Sequence, residues 1–147
     1  PLFGASSLDV DSTGRGVLSG TLLPAFSEDT FKLAVVRLTA DGDLDTSFGG
    51  DGMVNIQVLG GNRDEIGTGV VVQAGDKIVV VGDSTNDAGG TMFATRYNSN
   101  GTVDTGFGTD GETLFAASYL SEGRKLIEMA DGKLVAVGRL WFDHPSE

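Results

Sequence analysis

The sequence predicts an all-β protein, a β-propeller-like array of four-stranded antiparallel blades, with about two and a half blades in the chain. Three observations predict it. The chain repeats itself at a period near 59 residues: "LDTSFGGDG" (Leu44 to Gly52) returns as "VDTGFGTDG" (Val103 to Gly111). The repeats resolve into short runs rich in β-branched residues, separated by Gly and Asp. No segment carries a helical pattern that its aligned copy also carries.

The elements follow in order. "TGRGVLSG", "GDKIVVVG" and "DGKLVAVG" align and close at Gly20, Gly82 and Gly138, with Arg15, Lys77 and Lys133 each five residues earlier. "FKLAVVRLTADGDLDTSFGGDG" from Phe31 aligns with "MFATRYNSNGTVDTGFGTDG" from Met92. Each full unit therefore reads as four strands. The first is "GVVVQ" or "KLIEM", and the second, after a tight turn, is "KIVVVGD" or "KLVAVGR". The third is "FKLAVVRL" or "MFATRYN"; after the corner comes the fourth, "MVNIQVL" or "ETLFAAS". "SEGRKLIEMADGK" alone could form a short amphipathic helix, but its aligned partner "GTGVVVQAGDK" is a poor helix, so a strand is expected. Along the chain this gives a half unit at about 1–29 and full units at about 30–89 and 90–147, all one repeat domain.

Four antiparallel strands per unit is the arithmetic of a propeller blade. One such unit cannot bury its apolar face alone, and stacked neighbours bury it jointly. The runs "IVVV" and "LVAV" fit central strands covered on both faces. A β-sandwich is the alternative for ten short strands, although a sandwich has no need of a repeating sequence. A closed ring takes about four to eight blades, roughly 240 to 470 residues at this repeat length. The chain has about two and a half units and starts and stops at the same phase of the repeat, so that copies joined head to tail would be irregular at each joint. The expectation is a fragment of a larger propeller; ring closure by several copies and an open array capped by partners are the alternatives.

The pattern R-[LY]-x-x-x-G-x-[LV]-D-T-x-F-G, together with "GDKIVVVG" and "DGKLVAVG", resembles the delta-60 repeat family. The resemblance covers nearly the whole chain; "DVDSTGRGVLSG" departs from it where "DGK" is expected. It implies a β-propeller domain of unknown function in bacterial secreted or cell-surface proteins, and it supplies no activity and no site residues.

Composition narrows the partners. There are 21 Asp and Glu against 10 Lys and Arg, a formal charge of −11, which repels phosphate backbones and argues against nucleic acid. Without cysteine, disulfides, thiolate metal sites and a cysteine nucleophile are excluded. No apolar run approaches the ~18 residues of a membrane span. The 23 glycines in 147 residues point to many turns.

The candidate sites are few. Asp41, Asp43 and Asp45 alternate like the start of an EF-hand loop, but Thr46 stands where its Gly belongs and Gly52 where its Glu belongs. The second copy keeps only Asp104 of the three, with Asn100 and Thr102 beside it. Asp9, Asp11 and Thr13 have no matching copies. In the corner itself, Asp45 and Asp104 suit Asx turns, Phe48 and Phe107 suit plugs of the core, and the corner glycines suit positive φ. Arg37 and Arg96 recur on the third strand, as blade-to-blade salt bridges or snorkelling stems. Trp141 and Phe142 are the candidate aromatic platform for a sugar, although such a pair more often covers the end of a sheet or meets the next blade. His144, the one histidine, lies near the C-terminus and is a poor start for a catalytic triad.

The expected function is therefore non-enzymatic: a structural or interaction module with no catalytic residues and no cofactor, partnered by further blades, other copies of the chain, or a surface glycan or protein. A glycan-binding module assisted by calcium is the alternative, and a hydrolase completed by missing blades the third reading.

Overall fold

The computed structural model describes residues 2–23, 30–86, 89–115 and 120–141, the last with backbone alone at 120, 121, 140 and 141. Ten strands and no helix occur among them. Leu2–Val10 (β1), Gly16–Leu23 (β2), Lys32–Leu38 (β3) and Met53–Ile56 (β4) form an antiparallel sheet in chain order. Asp64–Gln73 (β5), Lys77–Asn86 (β6), Gly89–Tyr97 (β7) and Glu112–Phe115 (β8) form a second in the same way. Leu120–Glu128 (β9) and Leu134–Trp141 (β10) make a further hairpin, tied to β7 by one parallel bridge between Gly90 and Leu120. Each sheet is a simple meander packed on the next through its first strand, which is blade order; a sandwich would cross over between its sheets.

The sheets thus run 2–56 and 64–115, with the hairpin at 120–141. Units drawn at 30 and 90 each begin at the third strand of a sheet. A period specifies spacing and leaves phase open, and phase is settled by which strands share hydrogen bonds.

The segment that resembles a helix is β9. It pairs with β10 and inserts Leu126 among Val71, Val79, Val81 and Met92. The fourth strand of the first sheet is shorter than "MVNIQVL" because the ladder ends at Ile56. The amides of Val58 and Leu59 instead donate to the carboxylate of Glu65, at 2.5 and 2.8 Å.

The closing glycines have a concrete cause. Each second strand passes a bulge or irregularity in its pairing with the first: Gly20 faces Ala5, Gly82 faces Gly67 and Gly138 faces Gly123. A Cβ at these glycines would fall 2.0 Å from Gly4 O, 2.1 Å from Ile66 O and 2.3 Å from Glu122 O respectively. Backbone approach this close admits only glycine.

Two cores lie between the layers. Val17, Leu33, Phe48, Val70, Ile78 and Val80 fill the first. Their repeat counterparts Val79, Met92, Phe107, Leu126, Leu134 and Ala136 fill the second. The first contains in addition Phe93 and Tyr97, for which the second has no counterpart among the described residues.

Candidate functional site

The most elaborate polar arrangement is the corner, and it is built twice. The Asp45 amide donates to Arg37 O and the Phe48 amide to Asp45 O, which reverses the chain. Oδ1 of Asp45 accepts from the amide of Ser47 at 3.1 Å, the expected Asx turn, and from its hydroxyl at 2.6 Å. Oδ2 accepts from Arg37 Nε at 2.8 Å and lies 3.4 Å from Arg15 Nη1. In the second copy Asp104 Oδ1 accepts from the amide of Gly106, and Oδ2 from Arg96 Nε at 2.7 Å and Lys77 Nζ at 2.6 Å. The guanidinium of Arg37 lies over the Phe48 ring and that of Arg96 over Phe107, each 4.8 Å from the centroid. Gly49 and Gly108 adopt positive φ, with the next strand's carbonyl against the place a Cβ would take.

These bonds hold both acids ionised. The Ser47 hydroxyl lowers the pKa of Asp45 most; partial burial opposes it, and the Ser47 amide and Arg37 add to it. For Asp104 the Lys77 ammonium is the largest cause, with the Gly106 amide and Arg96 assisting against desolvation.

The expected blade-to-blade salt bridges are corrected here. Arg37 and Arg96 pair with the acid of their own sheet, because the corner folds back beside the third strand. What crosses between blades is a hydrogen bond, from Arg37 Nη1 to Ser99 O. The amide of Gly49 also donates to Asn100 O at 3.1 Å. Arg37 is consequently 2% exposed at its side chain, and Arg96, which has no such neighbour among the described residues, is 22% exposed.

The structure does not assemble the calcium candidates. Asp45 turns inward to its arginines while Asp41 and Asp43 remain exposed. Among the described residues no group of three His, Asp or Glu side chains is placed to hold a metal ion. Asp11 repeats the Asx design with Thr13 and binds Arg15 Nε at 2.6 Å. Asp9 reaches across to the next sheet, where Oδ2 accepts from the Val72 amide at 2.7 Å. The side chain of Trp141, and Phe142 and His144 altogether, lie outside the described residues.

A family described as a domain of unknown function (DUF5122) beta-propeller matches residues 27–48 and 73–107. No curated protein matches the chain. The two matched stretches end on Phe48 and Phe107, the two corner plugs, and the sheets have blade order. The chain carries β-propeller blades.

Within these blades Glu65 is the functional-looking residue that pattern reading misses, since it appears once and has no repeat counterpart. It is fully buried and also accepts from Ser84 Oγ at 3.2 Å. Near it Glu112 lines a cleft of about 180 Å³ with Thr95, Asp110, Ile56, Gln57 and Val58. Oε2 of Glu112 is buried without a hydrogen-bond partner among the described residues. Burial raises the pKa of Glu112, and the negative charges of Glu65 and Asp110 raise it further. Among the described residues the polar contacts of Glu65 are structural: they fix the link from the first blade to the second.

Asp83 gives a pH test of the packing between the second blade and the half-blade. Burial raises its pKa from 3.8 to about 6; the Gly123 amide, which bonds Oδ1, works against this, and Glu122 adds to it. A raised carboxyl pKa favours the folded state below the unfolded value, and that contribution is lost as pH rises through the folded one. Asp83→Asn should therefore gain on the native chain by about 2 kcal/mol between roughly pH 4 and 7. Urea titrations of both proteins across that range measure it; parallel pH profiles would refute it. Asp11 has the opposite sign. Burial is the largest single influence and raises its pKa, but the bonds from Arg15 and Thr13 together bring it down to about 2. Its contribution is present above the ordinary 3.8 and lost as pH falls through about 2.

Proposed function

We propose that the chain is a non-enzymatic structural or interaction module, made of propeller blades, of a bacterial secreted or cell-surface protein. One observation carries the reading. Both repeated charged clusters spend their acids, arginines and aromatic rings on one another, and so serve the corner of each blade. The setting outside the cell, and the delta-60 repeat as the finer family, rest on the sequence resemblance.

The reading makes two measurable demands. Adding a chelator should leave the melting temperature within about 1 °C, since the corner acids are met by the chain's own arginines and lysine. The chain should be silent on a glycan array with and without added calcium. A calcium-dependent rise in melting temperature of several degrees, or a saturable glycan signal that a chelator abolishes, would overturn the scaffold in favour of a calcium-assisted lectin.

A further inference from the structure

We propose that the β9–β10 hairpin is a docking site for one kind of partner: a second β-hairpin with the chemistry of β7, the corner and β8. The interface between the first and second blades, one repeat earlier, is the template.

Comparison of matched positions locates what is missing. In β6, Val79 and Val81 are fully buried. Their counterparts in β10, Val135 and Val137, are 39% and 56% exposed, and Ile127 beside them on β9 is 48% exposed. That face is covered in β6 by the β9 hairpin, which sets Leu126 on Val79 and Val81, and no described residue covers it in β10. The edges differ as well: β6 is flanked by β7 over the whole stretch Ile78–Asn86, whereas β10 ends its sheet with no partner on its outer edge among the described residues. Unpaired strand edges are templates for an added strand.

The second core has a matching gap. A cleft of about 370 Å³ opens beside Phe107, Phe115, Leu126, Leu134 and Ala136, with Arg96 at its rim. In the first core the equivalent space, between Phe48 and Ile78, is occupied by Phe93 and Tyr97. Both rings come from the third strand, four residues apart on one face. The cleft is thus shaped for two aromatic side chains at that spacing.

Charge supplies the third element. Arg15 reaches Asp45 and Lys77 reaches Asp104, each a basic residue opening a second strand and each meeting the acid of its own sheet's corner. Lys133 occupies the same place in the half-blade, where its side chain is 77% exposed and its ammonium, among the described residues, meets the nearby Asp131. An incoming corner would offer it the missing acid. The partner is therefore an antiparallel strand pair with aromatics at i and i+4 and an aspartate in its turn. This deepens the scaffold reading and can fail apart from it, because a chain that ignores such a hairpin still has its packed blades.

The test uses the intact chain and a synthetic peptide spanning Gly89–Phe115. Fluorescence anisotropy should show saturable binding at one peptide per chain, and hydrogen exchange should show new protection of the β10 amides. The peptide with Phe93→Ala and Tyr97→Ala should bind at least about tenfold more weakly. Lys133→Glu in the protein should weaken the native peptide, and Asp104→Lys in the peptide should restore binding to that variant. Equal affinity for native and alanine peptides overturns the proposal, as does binding that leaves β10 unprotected. So does a chain that dimerises through this face and excludes the peptide, since the occupant would then be a second copy.

Discussion

Phe48→Ala will lower the free energy of unfolding by about 3–5 kcal/mol, and Phe107→Ala, the same residue one repeat later, by clearly less. Phe48 is completely buried, with the backbone of the Gly101 turn against its ring and the Arg37 guanidinium over its face. Its removal leaves a cavity that rigid strands on both sides cannot collapse, and it takes the aromatic face from a buried cation. Phe107 makes the same contact with Arg96 but borders the open cleft, so its truncation enlarges a space that water already reaches. Urea unfolding of the two variants, with matched slopes, measures the difference. Equal losses would mean that the two corners are energetically equivalent and that the next blade adds nothing to the first.

The second large effect is expected from a single methyl group. Gly82→Ala places a Cβ 2.1 Å from the carbonyl oxygen of Ile66 and 2.8 Å from the tip of the Phe93 ring. The nearer obstacle is backbone, which cannot rotate away, so β5 and β6 must separate at the bulge that joins them. Overpacking against side chains costs about 1–3 kcal/mol; here we expect at least the upper figure, or failure to fold. Gly4→Ala is the matched control. Its Cβ would meet nothing nearer than 3.9 Å, and stability should change by no more than about 0.5 kcal/mol. Thermal melts of the two proteins decide it: a Gly82→Ala chain that melts with the native one would show that the bulge relaxes freely.

The two substitutions mark what could be read before any coordinates. Gly82 and Phe48 both announce themselves by recurring, because a residue required by each blade's geometry must return once per blade. The Asx turn at Asp45, the core position of Phe48 and the strand at β9 follow from that recurrence and from local chemistry alone. Arg37 recurs too, yet recurrence does not place its partner, Asp45 of the same sheet: the periodic signal says that an arginine belongs there, and says nothing about which way the chain folds back to meet it. Glu65 sends no such signal. It occurs once, between two blades, and only contact with the amides of Val58 and Leu59 explains its burial.

By itself the sequence determined the class of fold, the spacing of its units and the residues of each corner. All three depend on interactions local in the chain or repeated along it, which leave a trace in composition and period. The tertiary structure alone decided where one blade stops and the next starts, why Arg37 is sealed and Arg96 is not, and which strand edge stays open. Those facts depend on neighbours that lie one blade away. Identical motifs in the chain acquire different surroundings according to what stacks on them, and no repeat can encode its own position in the stack.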